Sequence, residues 1–289
     1  YMRRVKQLVH AHNVYRKGFT GKGVCAVILD TGAYPHKDLR KQIRGFKDFT
    51  TDKRECYDDN GHGTHVAGIF CANGSLQGVA PGARVIVLKV LDRNGNGNTK
   101  RVLEALDWVE KNKAIYQIRI LNFSVGFLPG ADDEDQKLIL DKLERLWDDN
   151  VVVVAAAGNN GPREGTVTVP GISRKIITVG ASDDTGQGRN MPHGYSGRGP
   201  TECCIVKPEI TAPGTNILSL DHRGNYYVKK SGTSMATPVV CGALALALQK
   251  KPSLRPEELK LDLYLSARRQ EKSAAAWGIL DVDNLIDLI

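Results

Sequence analysis

Five short runs of the chain are almost unbroken in apolar, largely β-branched residues. They are Val24–Leu29 (VCAVIL), Arg84–Val90 (RVIVLKV), Ile118–Phe123 (IRILNF), Val151–Ala157 (VVVVAAA) and Lys175–Val179 (KIITV). A strand with one wet face alternates apolar and polar residues, so continuous runs imply strands buried on both faces. Between them lie amphipathic stretches with helical spacing: Gly63–Ala72, Thr99–Lys111 and Glu134–Asp148. Acidic residues Asp132 to Asp135 crowd the start of the last one, where carboxylates favour the helix dipole. A later helix is predicted from about Ser234 to Gln249, and another from Pro256, a residue suited to a first helical turn. The alternation predicts an α/β chain of three layers, a mostly parallel central sheet with helices on both faces. No Pro/Ser-rich linker interrupts it, so residues 1–289 read as a single domain.

Composition narrows the class. With 289 residues and 41% hydrophobic content, the chain can bury a core without disulfide or metal support. That content excludes a disordered chain, and the absence of any repeat excludes a collagen-like one. The apolar run Val151–Ala157 is strand length, far short of the roughly 18 residues that span a bilayer, so no membrane partner is expected. The net charge is +8, but the basic residues are scattered among acids and aromatics are only 6%, which is thin for base stacking. No nucleic-acid partner is therefore expected. Lys250-Lys251 and Arg268-Arg269 read as solvated helix surface. The cysteines (Cys25, Cys56, Cys71, Cys203, Cys204, Cys241) show no disulfide spacing, and adjacent Cys203-Cys204 fit no metal pattern. Free core thiols point to the cytoplasm. The alternative is secretion after removal of a signal or propeptide, since the first residue is Tyr1 and not Met.

Three segments could carry chemistry. Asp30 closes the first apolar run in Leu29-Asp30-Thr31-Gly32. His62 lies in Asn60-Gly61-His62-Gly63-Thr64-His65-Val66-Ala67-Gly68, and Ser234 in Ser231-Gly232-Thr233-Ser234-Met235-Ala236-Thr237-Pro238. Open parallel sheets place ligands beyond the carboxyl ends of their strands, where Asp30 lies and where the loops into both helices start. A serine hydroxyl needs a neighbouring base to become a nucleophile. Histidine titrates near neutrality, and a buried aspartate fixes its tautomer. Taken singly, Asp30 could be a turn residue and Ser234 an N-cap. His62 and His65 could be a metal pair, with Asp30 as a third ligand, or core residues. Chain order discriminates further. Gly232-Thr233-Ser234-Met235-Ala236 nearly matches the nucleophile elbow of α/β hydrolases, in which the histidine follows the serine. Here no histidine follows Ser234. The order Asp30, His62, Ser234 on an α/β chain remains, that of the subtilisins.

These blocks together resemble the signatures of the subtilase family of serine proteases. Gly78-Val79-Ala80-Pro81, Asn122-Phe123-Ser124-Val125-Gly126, Ala156-Ala157-Gly158-Asn159 and Tyr195-Ser196-Gly197-Arg198-Gly199-Pro200 resemble further family blocks. The likeness spans roughly Gly18 to Asp281. Tyr57-Asp58-Asp59-Asn60-Gly61-His62, the acidic insertion at Asp132–Asp135 and Lys207-Pro208-Glu209-Ile210-Thr211-Ala212-Pro213-Gly214 are most similar to bacterial intracellular alkaline subtilases of the AprX type. The resemblance implies a subtilisin-like fold and a serine endopeptidase with Asp30, His62 and Ser234 as triad. It makes Asn159 the oxyanion donor beside the Ser234 N–H, and His65 structural. A peptide-binding pseudoprotease is the rival from another class, but its usual mark, a missing triad residue, is absent.

For substrate, the resemblance implies an extended peptide or protein segment added as a strand between Ser124-Val125-Gly126 and Gly95-Asn96-Gly97. Ala156, Ala157 and Gly158 would wall the first specificity pocket. Thr168 stands where many relatives carry a floor glycine, implying a shallower or more polar pocket. Phe127 likewise replaces a usual glycine after the binding strand. No cofactor is expected for catalysis. Structural calcium is common in the family, and Asp38 matches one ligand of its tight site. The loop between Ala72 and Gly78 that supplies other ligands looks about three residues short, and one carboxylate does not make a six- to eight-oxygen cage. That site is expected to be absent, with Asp58-Asp59-Asn60 and Asp132–Asp135 as weak alternatives.

Overall fold

The computed structural model describes residues 2–127, 134–184, 193–269 and 277–289. Its helices are α1 (Met2–Leu8), α2 (Asn13–Arg16), α3 (His62–Cys71), α4 (Thr99–Tyr116), α5 (Glu134–Asp148), α6 (Thr233–Lys250), α7 (Pro256–Ser266) and α8 (Val282–Leu288). Its strands are β1 (Cys25–Asp30), β2 (Ile43–Asp48), β3 (Arg84–Lys89), β4 (Ile118–Phe123), β5 (Val152–Ala156), β6 (Ile177–Ala181), β7 (Ile210–Ala212), β8 (Ile217–Leu220) and β9 (Tyr227–Lys230). All five apolar runs are strands, with every end within two residues of expectation.

Seven strands form one parallel sheet in the order β2-β3-β1-β4-β5-β6-β7. Helices α3 and α6 pack on one face, and α4 and α5 on the other. The sandwiching explains the unbroken apolar runs: every residue of β1, β5 and β6 is buried. Strand β2 lies at the edge and is mostly half-exposed, which is why its mixed sequence gave no strand signal. Helix α6 is buried nearly all round and carries little polar residue beyond its first turn. Helix α4 starts at an Asn98 cap, whose side chain accepts from the Arg101 N–H at 2.9 Å.

The strand order turns at β1, which has β3 on one side and β4 on the other. Such a switch point opens a crevice beyond the carboxyl ends of the strands. Asp30, Ser124 and Ala157 directly end or follow β1, β4 and β5 there. The antiparallel ribbon β8–β9 stands apart from the sheet and packs on α3. Asp132 and Asp133 lie outside the described residues; Glu134 and Asp135 occupy the first turn of α5 as expected. Among the described residues, no helix is long and apolar enough to cross a membrane.

Candidate active site

Asp30 is fully buried at the end of β1. The His62 Nδ1–H donates to its Oδ1 at 2.7 Å and faces its Oδ2 at 2.9 Å. Because a carboxylate only accepts, Nδ1 carries the proton and Nε2 keeps its lone pair. The Thr31 N–H donates to the same Oδ1 at 2.7 Å, fixing the carboxylate's plane. Burial lowers the basicity of His62, but the charge and hydrogen bond of Asp30 outweigh it, while nearby Lys230 opposes them. The net result is a pKa above the ordinary histidine value.

Helix α3 reaches this close only because its second residue is glycine. A Cβ on Gly63 would stand 2.2 Å from the Gly32 carbonyl oxygen and 3.0 Å from the Asp30 Cβ. His65, one turn on, is fully buried and points elsewhere. Its Nε2–H faces the carbonyls of Ile217 (3.0 Å) and Val228 (3.1 Å). Burial, with the charges of Lys230 and His62, holds its pKa down to about 3, so it stays neutral. This places His65 as a clasp between α3 and the β8–β9 ribbon, not as a metal ligand. Among the described residues no three His, Cys, Asp or Glu side chains are grouped to hold a metal ion.

Ser234 is the second residue of α6, so its N–H is among those that have no partner within the helix. Its hydroxyl donates to the Ser124 carbonyl at 3.3 Å. Asn159 is anchored on the same helix end. Its Oδ1 accepts from the Thr233 N–H at 2.9 Å and the Thr233 hydroxyl at 3.2 Å. That acceptor use orients the amide and leaves its NH₂ as a donor beside the α6 N-terminus. Asn159 is otherwise exposed.

The residues expected to pair with substrate lie after β4 and in the loop after β3. Ser124 and Val125 continue β4, and Gly126 is exposed. Phe127 exchanges both backbone hydrogen bonds with Val169 (3.0 and 2.9 Å). That bridge brings Thr168 under the strand. Its Oγ1 would lie 2.5 Å from a Cβ on Gly126, and its methyl 2.6 Å from one on Gly158. Thr168 is buried, and among the described residues its hydroxyl has no hydrogen-bond partner. It therefore fills the space between Gly158 and Gly126. Opposite, Asp92 ties the exposed loop containing Gly95, Asn96 and Gly97 by accepting from the N–H groups of Asn94 (2.8 Å) and Asn96 (2.9 Å). The Asn60 amide reaches the Arg93 carbonyl at 3.0 Å, joining that loop to the segment before His62.

Two supporting residues, Lys89 and Lys230, gave no signal in the sequence, and a third, Asp58, gave an ambiguous one. Asp58, a weak metal alternative in the sequence, is surrounded by the chain's own donors at the start of α3. It accepts from the N–H groups of Asn60 (3.0 Å), Gly61 (2.8 Å) and Thr64 (2.9 Å), and from the hydroxyls of Thr31 (2.9 Å) and Thr64 (2.6 Å). It thereby joins the loop after Asp30 to the helix bearing His62. Lys89 lies buried beneath, its ammonium bonded to the carbonyls of Thr31 (2.7 Å) and Leu91 (2.8 Å) and to Asp59 (2.6 Å). Lys230 is recognised only through its field on His62 and His65. A carboxylate four residues before the histidine was the one available signal, and spacing alone could not tell a cap from a metal ligand.

Asp38, the candidate calcium ligand, meets donors of the protein itself. Its Oδ2 accepts from the Leu76 N–H at 2.9 Å and the Tyr227 hydroxyl at 2.8 Å, and a Cβ on Gly74 would stand 2.1 Å from its Oδ1. The carboxylate is buried and engaged by the protein's own donors.

The subtilase family profile matches residues 21–278. The chain belongs to the subtilase family. Serine protease AprX of Bacillus subtilis (strain 168) is 40% identical over 278 residues, covering 87% of this chain and 63% of its own length. Subtilisin Savinase of Lederbergia lenta is 36% identical over 85% of this chain and 83% of its own. The crystal structure of a cold adapted subtilisin-like serine proteinase matches with a TM-score of 0.75 at 29% identity, covering 91% of this chain and 90% of that one. This subtilase chain thus spans just under two thirds of the length of AprX.

Proposed function

We propose that the protein is a serine endopeptidase. The observation that carries this reading is the buried Asp30 bonded to the Nδ1 of His62 beside an α6 N-terminus that bears Ser234 and anchors Asn159. The Ser234 hydroxyl, bonded to the Ser124 carbonyl without substrate, turns toward His62 in this reading; catalytic bonds are often loose in the absence of substrate. His62 Nε2 takes the proton as Ser234 Oγ attacks the peptide carbonyl. Asp30 stabilises the imidazolium that forms. The Ser234 N–H and the Asn159 NH₂ receive the negative oxygen. His62 then protonates the leaving amine, and water enters by the same route to release the acyl group.

The substrate is an extended peptide segment paired with Ser124–Gly126 and Gly95–Gly97. Thr168 fills the floor of the first pocket and disfavours large aromatic residues there. Catalysis uses no metal, and Asp38 serves as a structural hydrogen-bond hub. The free cysteines, with Cys25, Cys71 and Cys241 buried, support work in a reducing compartment such as the cytoplasm.

A fluorophosphonate probe on the wild type and Ser234→Ala tests the reading, with the mass of the intact protein as readout. One adduct on the wild type and none on the variant is the expected result. No adduct on either would favour a binding module, and an adduct on both would overturn Ser234 as nucleophile.

A further inference from the structure

A cleft of about 770 Å³ lies between α1, the loop of residues 74–77 and the β8–β9 ribbon. It shares no residue with the groove at Ser124–Gly126. Its charge is one-sided: Arg3, Lys6 and His12 line it and no acidic residue does. None of the three has an ion-pair partner among the described residues. Asp38, behind the wall, is already engaged by Leu76 and Tyr227.

Lys6 is the informative member. It is half-buried, and its ammonium stands 4.5 Å from the centroid of the Tyr15 ring. That ring is pinned by a 2.7 Å hydrogen bond from its hydroxyl to the Val79 carbonyl. Burial alone pushes the Lys6 amine down to about 8, with no carboxylate to offset it. A partly desolvated cation facing an open cleft is where an incoming anion gains most, because the local dielectric is reduced and the cost of burying the amine is already met. The rest of the wall decides the anion's carrier. Met2, Leu76 and Leu218 offer apolar surface beside the cations, which a bare inorganic ion would leave wet.

We propose that this cleft binds an acidic peptide segment, its carboxylates against Arg3, Lys6 and His12 and an apolar side chain against Met2, Leu76 and Leu218. The segment is recognised and not cut there, so the site is independent of the catalytic centre.

The test uses the whole chain carrying Ser234→Ala, so that no peptide is consumed. Fluorescein-labelled Glu-Leu-Glu-Leu-Glu and its Lys-Leu-Lys-Leu-Lys twin are titrated by anisotropy, with inorganic phosphate as a separate probe. The acidic peptide should bind, and the basic twin should bind at least about tenfold more weakly. Added Lys6→Glu should weaken the acidic peptide by about tenfold or more, the scale of one partly desolvated charge contact. Lys6→Gln, which adds no charge, should weaken it severalfold and covers the case in which Lys6→Glu fails to fold. Gly126→Ala, which alters only the groove, should leave this binding unchanged. Equal binding to both Lys6 variants, or loss only in Gly126→Ala, overturns the proposal. So does the absence of binding, or phosphate binding as tightly as the peptide.

Discussion

Helix α3 has a buried carboxylate at each end, and the two have different consequences. Asp58 at the N-terminal end accepts five hydrogen bonds and holds the loop after Asp30 against the helix. Asp38, near the C-terminal end, accepts from Leu76 and Tyr227 and holds the loop after α3 to the β8–β9 ribbon. Burial would raise both carboxyls, but the N–H and hydroxyl donors around each hold them below the usual aspartate range. Chemically the two sites are alike. They differ in what hangs on the donors: His62 follows directly on one of Asp58's partners, whereas Asp38's partners position only backbone. Burial and hydrogen bonding therefore do not mark a catalytic neighbour. Proximity to a side chain that must be placed within a fraction of an ångström does.

The sharpest way to break this comparison acts at the N-terminal end. Asp30→Asn keeps the shape but reverses the preferred His62 tautomer, and kcat should fall about 10⁴-fold. A loss below tenfold in peptide hydrolysis would remove Asp30 from the triad. Next, Asp58→Asn should lower kcat about 10–100-fold with little change in KM, since it misplaces the base and not the substrate. A change in Tm alone would make Asp58 equivalent to Asp38.

At the other end the order reverses. Asp38→Asn should lower stability by about 1–3 kcal/mol through buried groups left unsatisfied, with kcat unchanged in surviving protein. Because the folded Asp38 carboxyl titrates below its unfolded value, its contribution is present above the unfolded pKa and is lost as pH falls through the folded one. EDTA should leave the wild-type Tm unchanged, and a fall of several degrees would reveal a bound cation. The smallest effect concerns Lys230, whose charge opposes Asp30 at His62. In the proposed mechanism the base is neutral His62, so activity should rise with pH through that pKa. Lys230→Met should move this acid limb to higher pH, and a limb that stays in place would remove Lys230 from the site's field.

The sheet was legible because strands buried on both faces must be apolar throughout. Ile118–Phe123 and Glu134–Asp148 match to the residue. The half-exposed strands β2 and β9 were not, because exposure leaves no continuous apolar run, and the buried strands β7 and β8 were not, because they are only three and four residues long. Asp30, His62 and Ser234 stood out by type and order, and the fold places all three at one edge. Asp58 and Asp38 show the limit. Both are aspartates near motif residues, and nothing local says whether their oxygens meet a cation, water or the chain's own N–H groups.

The sequence by itself determined the buried sheet, the helices between its strands and the identity of the chemical groups, since those follow from side-chain hydrophobicity and local order. Only the tertiary structure decided that Thr168 stands under Gly126, that Asp38 meets the Leu76 N–H and the Tyr227 hydroxyl, and that Lys6 faces a cleft without an acid among the described residues. Each of these depends on segments distant in the chain meeting in space, and the geometry of that meeting is set by packing.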